Sequence, residues 1–162
     1  MYPGKYAEQN PDRSAFVMAA TGERVSYQEF EARSNRVAHY LVDKGLDFQD
    51  HYSIFMENNN RYLESCAAGE RSGLYFTCIN SFLTSDELAY IINNSESQIL
   101  ITSMSKLEAA QEALAQCTAI KEVLVVGAGD ADLPEGMSDF ASTLSKYPET
   151  PLERELLGAA ML

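Results

Sequence analysis

Gly127 and Gly129 come nearest in this sequence to a phosphate-binding loop, because they follow a predicted strand and closely spaced glycine amides can approach an anion. A third glycine and a Lys-Ser or Lys-Thr pair are missing, and Asp130 and Asp132 would repel phosphate, so the segment reads as an ordinary loop. A dinucleotide-dependent oxidoreductase built on these two glycines is correspondingly disfavoured. His39 falls on a helix beside Tyr40, away from the apolar stripe, and His51 adjoins Asp50 with no nucleophile or metal partner, so neither is assigned as a general base. Glu64 and Glu70 flank a predicted helix, while Asp86 and Glu87 begin another and suit its positive end without catalysis. Ser103 and Ser105 read as helix caps rather than nucleophiles, since no base or glycine-flanked elbow accompanies them. Cys66, Cys78 and Cys117 are widely spaced, contain no CxxC pair, and have only His39 and His51 to join them as ligands, so they read as reduced, partly buried thiols. Asn80, at a predicted strand end, is placed as a turn former. These residues yield no catalytic, cofactor-binding or metal site.

Composition narrows the class of protein that must position them. The 162 residues suffice for one domain, since a chain of this size buries about two thirds of its unfolded surface. Twenty-four Asp and Glu against twelve Lys and Arg give a formal charge of -12, which argues against nucleic acid as a partner. The N-terminus lacks the apolar run of a signal peptide and no later stretch reaches a membrane span, so the expectation is a cytoplasmic protein without a transmembrane segment.

Local patterning then supplies the elements. Ala15–Met18 and Val25–Ser26, separated by Thr21-Gly22, predict a hairpin. Ser26 with Glu29, Thr84 with Glu87 and Ser105 with Glu108 are capping boxes that predict three helix starts. Phe30, Val37, Ala38, Leu41 and Val42 line one face of the first of these helices, which ends at Lys44-Gly45. A helix carrying Tyr62, Leu63, Cys66 and Ala67 ends near residues 69–73. Strands are expected near 53–56, 74–79, 98–101 and 123–126, forming one parallel sheet with Phe30, Leu41, Ile54, Phe76, Ile79, Leu88, Ile92, Leu100 and Val125 buried. From residue 127 onward the chain is expected to be loop-rich, with a short helix near Met137–Leu144 and an extended tail. The fold class is α/β: a largely parallel sheet flanked by helices, with a small N-terminal β-hairpin.

Three stretches carry a resemblance. Gly69-Glu-Arg-Ser-Gly-Leu-Tyr-Phe-Thr-Cys-Ile-Asn-Ser-Phe-Leu-Thr-Ser-Asp-Glu-Leu-Ala-Tyr-Ile-Ile92 resembles the N-terminal region of fatty-acyl-CoA ligases, members of the adenylate-forming superfamily that includes firefly luciferase. Thr21-Gly-Glu-Arg-Val-Ser-Tyr-Gln-Glu-Phe30, with Asn35-Arg-Val-Ala38 and Lys44-Gly45, resembles that family's first helix and its lead-in. Pro151-Leu-Glu-Arg-Glu-Leu-Leu-Gly-Ala-Ala-Met-Leu162 resembles the approach to its phosphate loop.

The resemblance implies that residues 1–162 are the N-terminal portion of the large adenylation domain, ending before the phosphate loop, with 127–162 as a tail leading to it. It implies a full-length enzyme that joins a fatty acid to CoA with ATP and Mg through an acyl-adenylate, releasing AMP and pyrophosphate. The phosphate loop, adenosine motif, Mg-side glutamate and lid lysine of that family have no counterpart here, so no catalytic residue is carried over. The partners implied are fatty acid, ATP and CoA, and a homodimer is compatible with it. The alternative is a stand-alone α/β binding or regulatory module.

Overall fold

The computed structural model describes residues 2–161. Its elements alternate as patterning requires: helix α1 (Gly4–Gln9), strands β1 (Ser14–Val17) and β2 (Arg24–Ser26), α2 (Tyr27–Asp43), β3 (His51–Phe55), α3 (Tyr62–Ser72), β4 (Tyr75–Cys78), α4 (Ser85–Asn94), β5 (Ile99–Ser103), a 3-10 turn (Met104–Lys106), α5 (Leu107–Leu114), β6 (Glu122–Val126), β7 (Met137–Asp139), α6 (Phe140–Leu144) and β8 (Ala159–Met161). β1 and β2 pair antiparallel as the expected hairpin. The other six strands form one wholly parallel sheet in the order β7-β6-β5-β3-β4-β8.

Two of the three capping boxes form as read. The Ser26 hydroxyl accepts from the Glu29 amide and Glu29 returns to the Ser26 amide, while Thr84 and Glu87 do the same at α4. The third does not: α5 starts after Lys106 with no side-chain cap, because the Ser105 hydroxyl is committed elsewhere. At the other end of α3, Gly73 adopts φ 76°, the left-handed conformation that closes a helix cheaply only at glycine. Gly69 lies inside that helix rather than at its end.

Period-two alternation divides the sheet residues between two cores. Tyr52, Ile54, Phe76, Ile99, Ile101 and Leu124 pack under α2, α3 and α6. Phe55, Ile79, Leu100, Val123 and Val125 pack under α4 and α5. Eight of the nine expected core residues are buried; the exception is Phe30, half-buried edge-to-face against Phe16 at 5.6 Å between ring centroids. Val42 is likewise exposed, because the inner face of α2 rotates onto Ser34, Asn35, Val37, Ala38, Tyr40 and Leu41.

The C-terminal third departs most from expectation. Met137–Asp139 add a strand beside β6 before the chain turns helical, with Asp139 as N-cap accepting from the Ser142 amide. The tail is a sheet edge: the Gly158 amide donates to the Glu70 carbonyl, the Ala159 amide donates to the Leu74 carbonyl, and β8 then runs parallel to β4. Gly158 is required there, since a Cβ would sit 2.1 Å from the Gly69 carbonyl oxygen. Helix α1 was not foreseen; it packs on α2 through a Tyr6–Tyr27 stack.

Candidate functional site

In an open parallel sheet, ligands lie beyond the carboxyl ends of strands where neighbouring connections leave toward opposite faces. Here β3 feeds α3 on one face, while β4 and β5, its neighbours on either side, feed α4 and α5 on the other. The rim beyond β3, β4 and β5 is therefore the candidate site. A cleft of about 340 Å³ opens there, lined among others by Glu57, Tyr62, Ile79, Asn80 and Phe82.

Glu57, just past β3, is the focus of that rim. Ser103 and Ser105, at the end of β5, both donate their hydroxyls to Glu57 Oε2 at 2.5 Å. Burial acts to raise this carboxyl, but the two serine hydroxyls and Asn59 outweigh it and hold Glu57 below the usual carboxylate range. An ionised glutamate with its oxygens engaged is a poor proton donor and a weak base. The cluster clamps the ends of β3 and β5 together. Ser103 and Ser105 are thus neither caps nor nucleophiles, and Glu57 was not singled out in the sequence because its partners lie 46 and 48 residues away.

On the α3 side the sheet brings together two cysteines that sequence spacing had separated. Cys66 Sγ lies 3.7 Å from Cys78 Sγ, Cys66 half-buried and Cys78 exposed at the end of β4. A hydrogen bond from Cys66 and another from Tyr62 stabilise the Cys78 thiolate, bringing it down to about 6 against the opposing effect of burial. The Cys66 thiol is pushed up, first because it is the donor to Cys78 and then by burial. Cys117 stands apart under α4 and α5, its thiol donating to the Ala113 carbonyl at 3.3 Å.

The remaining sequence candidates are placed without chemistry. Gly127 and Gly129 do have positive φ, but the Gly129 amide donates to the Asp139 carboxylate at 3.1 Å, so an internal anion takes the position a phosphate would need. His39 meets the Thr150 carbonyl at 2.9 Å. His51 sits edge-to-face on Tyr75, while Asp50 accepts from the Asp47 amide. Glu87 caps α4 and Asp86 accepts from Gln116. Asn80 accepts from the Phe82 amide, the turn expected of it. Glu64 and Glu70 share α3 but do not act as an acid–base pair: Glu64 is buried against Arg61 at 3.4 Å.

Comparison with known proteins gives these features a context. Residues 4–156 match the family model described as AMP-binding enzyme. A medium/long-chain-fatty-acid–CoA/3-oxocholest-4-en-26-oate–CoA ligase of Mycolicibacterium smegmatis is 28% identical over 138 residues, covering 84% of this chain and 25% of the relative. A 3-oxocholest-4-en-26-oate–CoA ligase of Rhodococcus rhodochrous is 30% identical over 146 residues, covering 88% of this chain and 26% of the relative. Among solved structures, the anthranilate CoA ligase AuaEII in complex with anthranoyl-AMP superposes with a TM-score of 0.83 at 17% identity, over 98% of this chain and 29% of its own. The parallel sheet with its flanking helices is thus that of a known fold, and the chain spans about a quarter of the length of the curated relatives it matches.

Proposed function

The chain belongs to the AMP-binding enzyme family, and on that premise we propose that the whole protein is an ATP-dependent fatty-acyl-CoA ligase. Residues 1–162 then form the N-terminal portion of its large adenylation domain, with 127–162 leading toward the phosphate loop. The observation that carries this reading is the match over residues 4–156, joined to relatives that are CoA ligases for fatty and steroid-derived acids. Activation suits such substrates, because a carboxylate is a poor electrophile and AMP is a far better leaving group than oxide.

The residues present do not fit a nucleotide triphosphate. The Gly129 amide already donates to Asp139, Asp130 and Asp132 add negative charge beside it, and the Glu57 oxygens are engaged by hydroxyls. Among the described residues no group of three or more His, Cys, Asp or Glu is placed to hold a metal ion. In the proposed reading ATP, Mg and CoA are held by residues of the longer protein.

Pyrophosphate exchange against a panel of fatty acids tests the reading. The chain alone should show no exchange above background, and a protein extended C-terminally should exchange with at least one acid. Exchange by the chain alone would overturn the location of the site. Failure of the extended protein on every carboxylic acid tried would overturn the ligase assignment.

A further inference from the structure

Cys66 and Cys78 meet across the α3–β4 junction with their sulfurs already in van der Waals contact at 3.7 Å. Tyr62, one helical turn before Cys66 on α3, packs beside Cys66 against the same core. The two sulfurs and Tyr62 thus meet at one edge of the α3 face. A disulfide needs its sulfurs about 2.0 Å apart, so closure requires a movement of about 1.7 Å. The Cys78 backbone is held in register opposite Ile54, so its exposed side chain must supply part of it. Cys78 is the last residue of β4 and exposed, with the chain turning at Asn80 after one further bond from Ile79 to β3.

We propose that Cys66 and Cys78 are a dithiol modification site that hydroperoxides oxidise to a disulfide joining α3 to the end of β4. Cys78 is the attacking sulfur because it is exposed at the strand end; Cys66, more enclosed, is the resolving one. In the first step the Cys78 thiolate attacks one peroxide oxygen. An S–O bond forms as the O–O bond breaks, leaving a sulfenic acid and, with hydrogen peroxide, hydroxide. In the second step the Cys66 sulfur attacks the Cys78 sulfur. The S–S bond forms, the S–O bond breaks, and the departing hydroxide leaves as water with the proton that Cys66 gives up. The two thiols lose two electrons and two protons, and hydrogen peroxide is reduced to two waters. A thiol reductant reverses the change by exchange. The new bond would fix the β4 end beside the cleft that Tyr62, Asn80 and Phe82 line.

The test treats the full chain with hydrogen peroxide, alkylates the remaining thiols and maps the peptides with and without reductant. The expected result is a linked peptide pair containing Cys66 and Cys78, a loss of two of the three thiols, and Cys117 left alkylatable. In Cys66→Ser, Cys78 should be trapped as sulfenic acid by dimedone. In Cys78→Ser, oxidation at Cys66 should slow by about tenfold or more. The absence of the linked pair from the unmutated chain, or oxidation of Cys117 as fast as that of Cys78, would overturn the proposal without reference to either variant.

Discussion

The two faces of the sheet are built on different physics. Under α4 and α5, the packed side chains are Leu88, Ile92, Ala110, Ala113, Leu100, Val123 and Val125, with no ionisable acid or base buried among them. Under α2, α3 and α6, aromatic residues share the core with charge. Glu64 and Arg71, the acid and base that are buried among the described residues, both lie on α3, as does Cys66. The aliphatic face needs only shape and area, which non-directional burial supplies. The α3 face needs named partners for each charge, and it is there that the unusual chemistry of the molecule collects.

Arg71 offers the most severe way to break the contrast. Its guanidinium is fully buried, donates to Glu31, approaches Glu155 at 3.8 Å and lies 4.6 Å from the Tyr2 ring centroid. Those partners come from α2, from the tail and from the segment before α1, so one side chain ties three distant parts of the chain to α3. Arg71→Ala opens a cavity where the buried guanidinium stood and removes the cation from Glu31, and urea unfolding should show a loss of about 3–5 kcal/mol. A loss under about 1 kcal/mol would mean that the face is held by packing alone, like its opposite.

Leu100 is the matching probe on the aliphatic side. It is fully buried within β5, facing α4 and α5. Leu100→Ala should cost about 2–5 kcal/mol through lost transfer energy and a residual cavity. Leu100→Met, which nearly conserves volume, should cost less than about 1.5 kcal/mol. If the two substitutions cost the same in urea titrations, shape is not what that face selects.

The same contrast explains what could be read from the sequence. The aliphatic face announces itself through local signals: the Thr84–Glu87 capping box, the spacing of Leu88 and Ile92, and the alternation in β5 and β6. The hairpin and the parallel sense of β3, β4, β5 and β6 followed from equally local cues, though their order in the sheet did not. What escaped depends on partners distant in the chain. Ser105 looks like a cap until Glu57 is placed beside it, and Cys66 and Cys78 look unrelated until β4 returns along α3. The edge strand β8 is invisible for the same reason, since its short segment becomes a strand only when β4 offers an unpaired edge. Asp139 filling the Gly129 amide is another such pairing, and it agrees with the ordinary loop read from the missing third glycine and the adjacent aspartates.

The pH-dependent effect expected is the one most particular to the α3 face. Burial raises the Glu64 carboxyl to about 7, with Arg61, Arg33 and Arg36 offsetting only part of that cost. An unfolded glutamate titrates near 4.3, so between these values the folded chain binds more protons at this position than the unfolded one. The sign follows: the contribution of Glu64 is most favourable below the unfolded value and is lost as pH rises through about 7, by up to about 4 kcal/mol. Glu57 and Asp139, whose carboxyls are held low, act in the opposite sense and lose stability as pH falls. Whole-chain pH profiles mix these signs, so the informative quantity is the difference between Glu64→Gln and the parent chain in urea titrations from pH 5 to 8. Glu64→Gln should gain stability relative to the parent as pH rises across that range, because the amide carries no charge to bury. A flat difference would mean that the arginines fully repay the burial of this carboxylate, and the α3 face would then be as indifferent to pH as the aliphatic one.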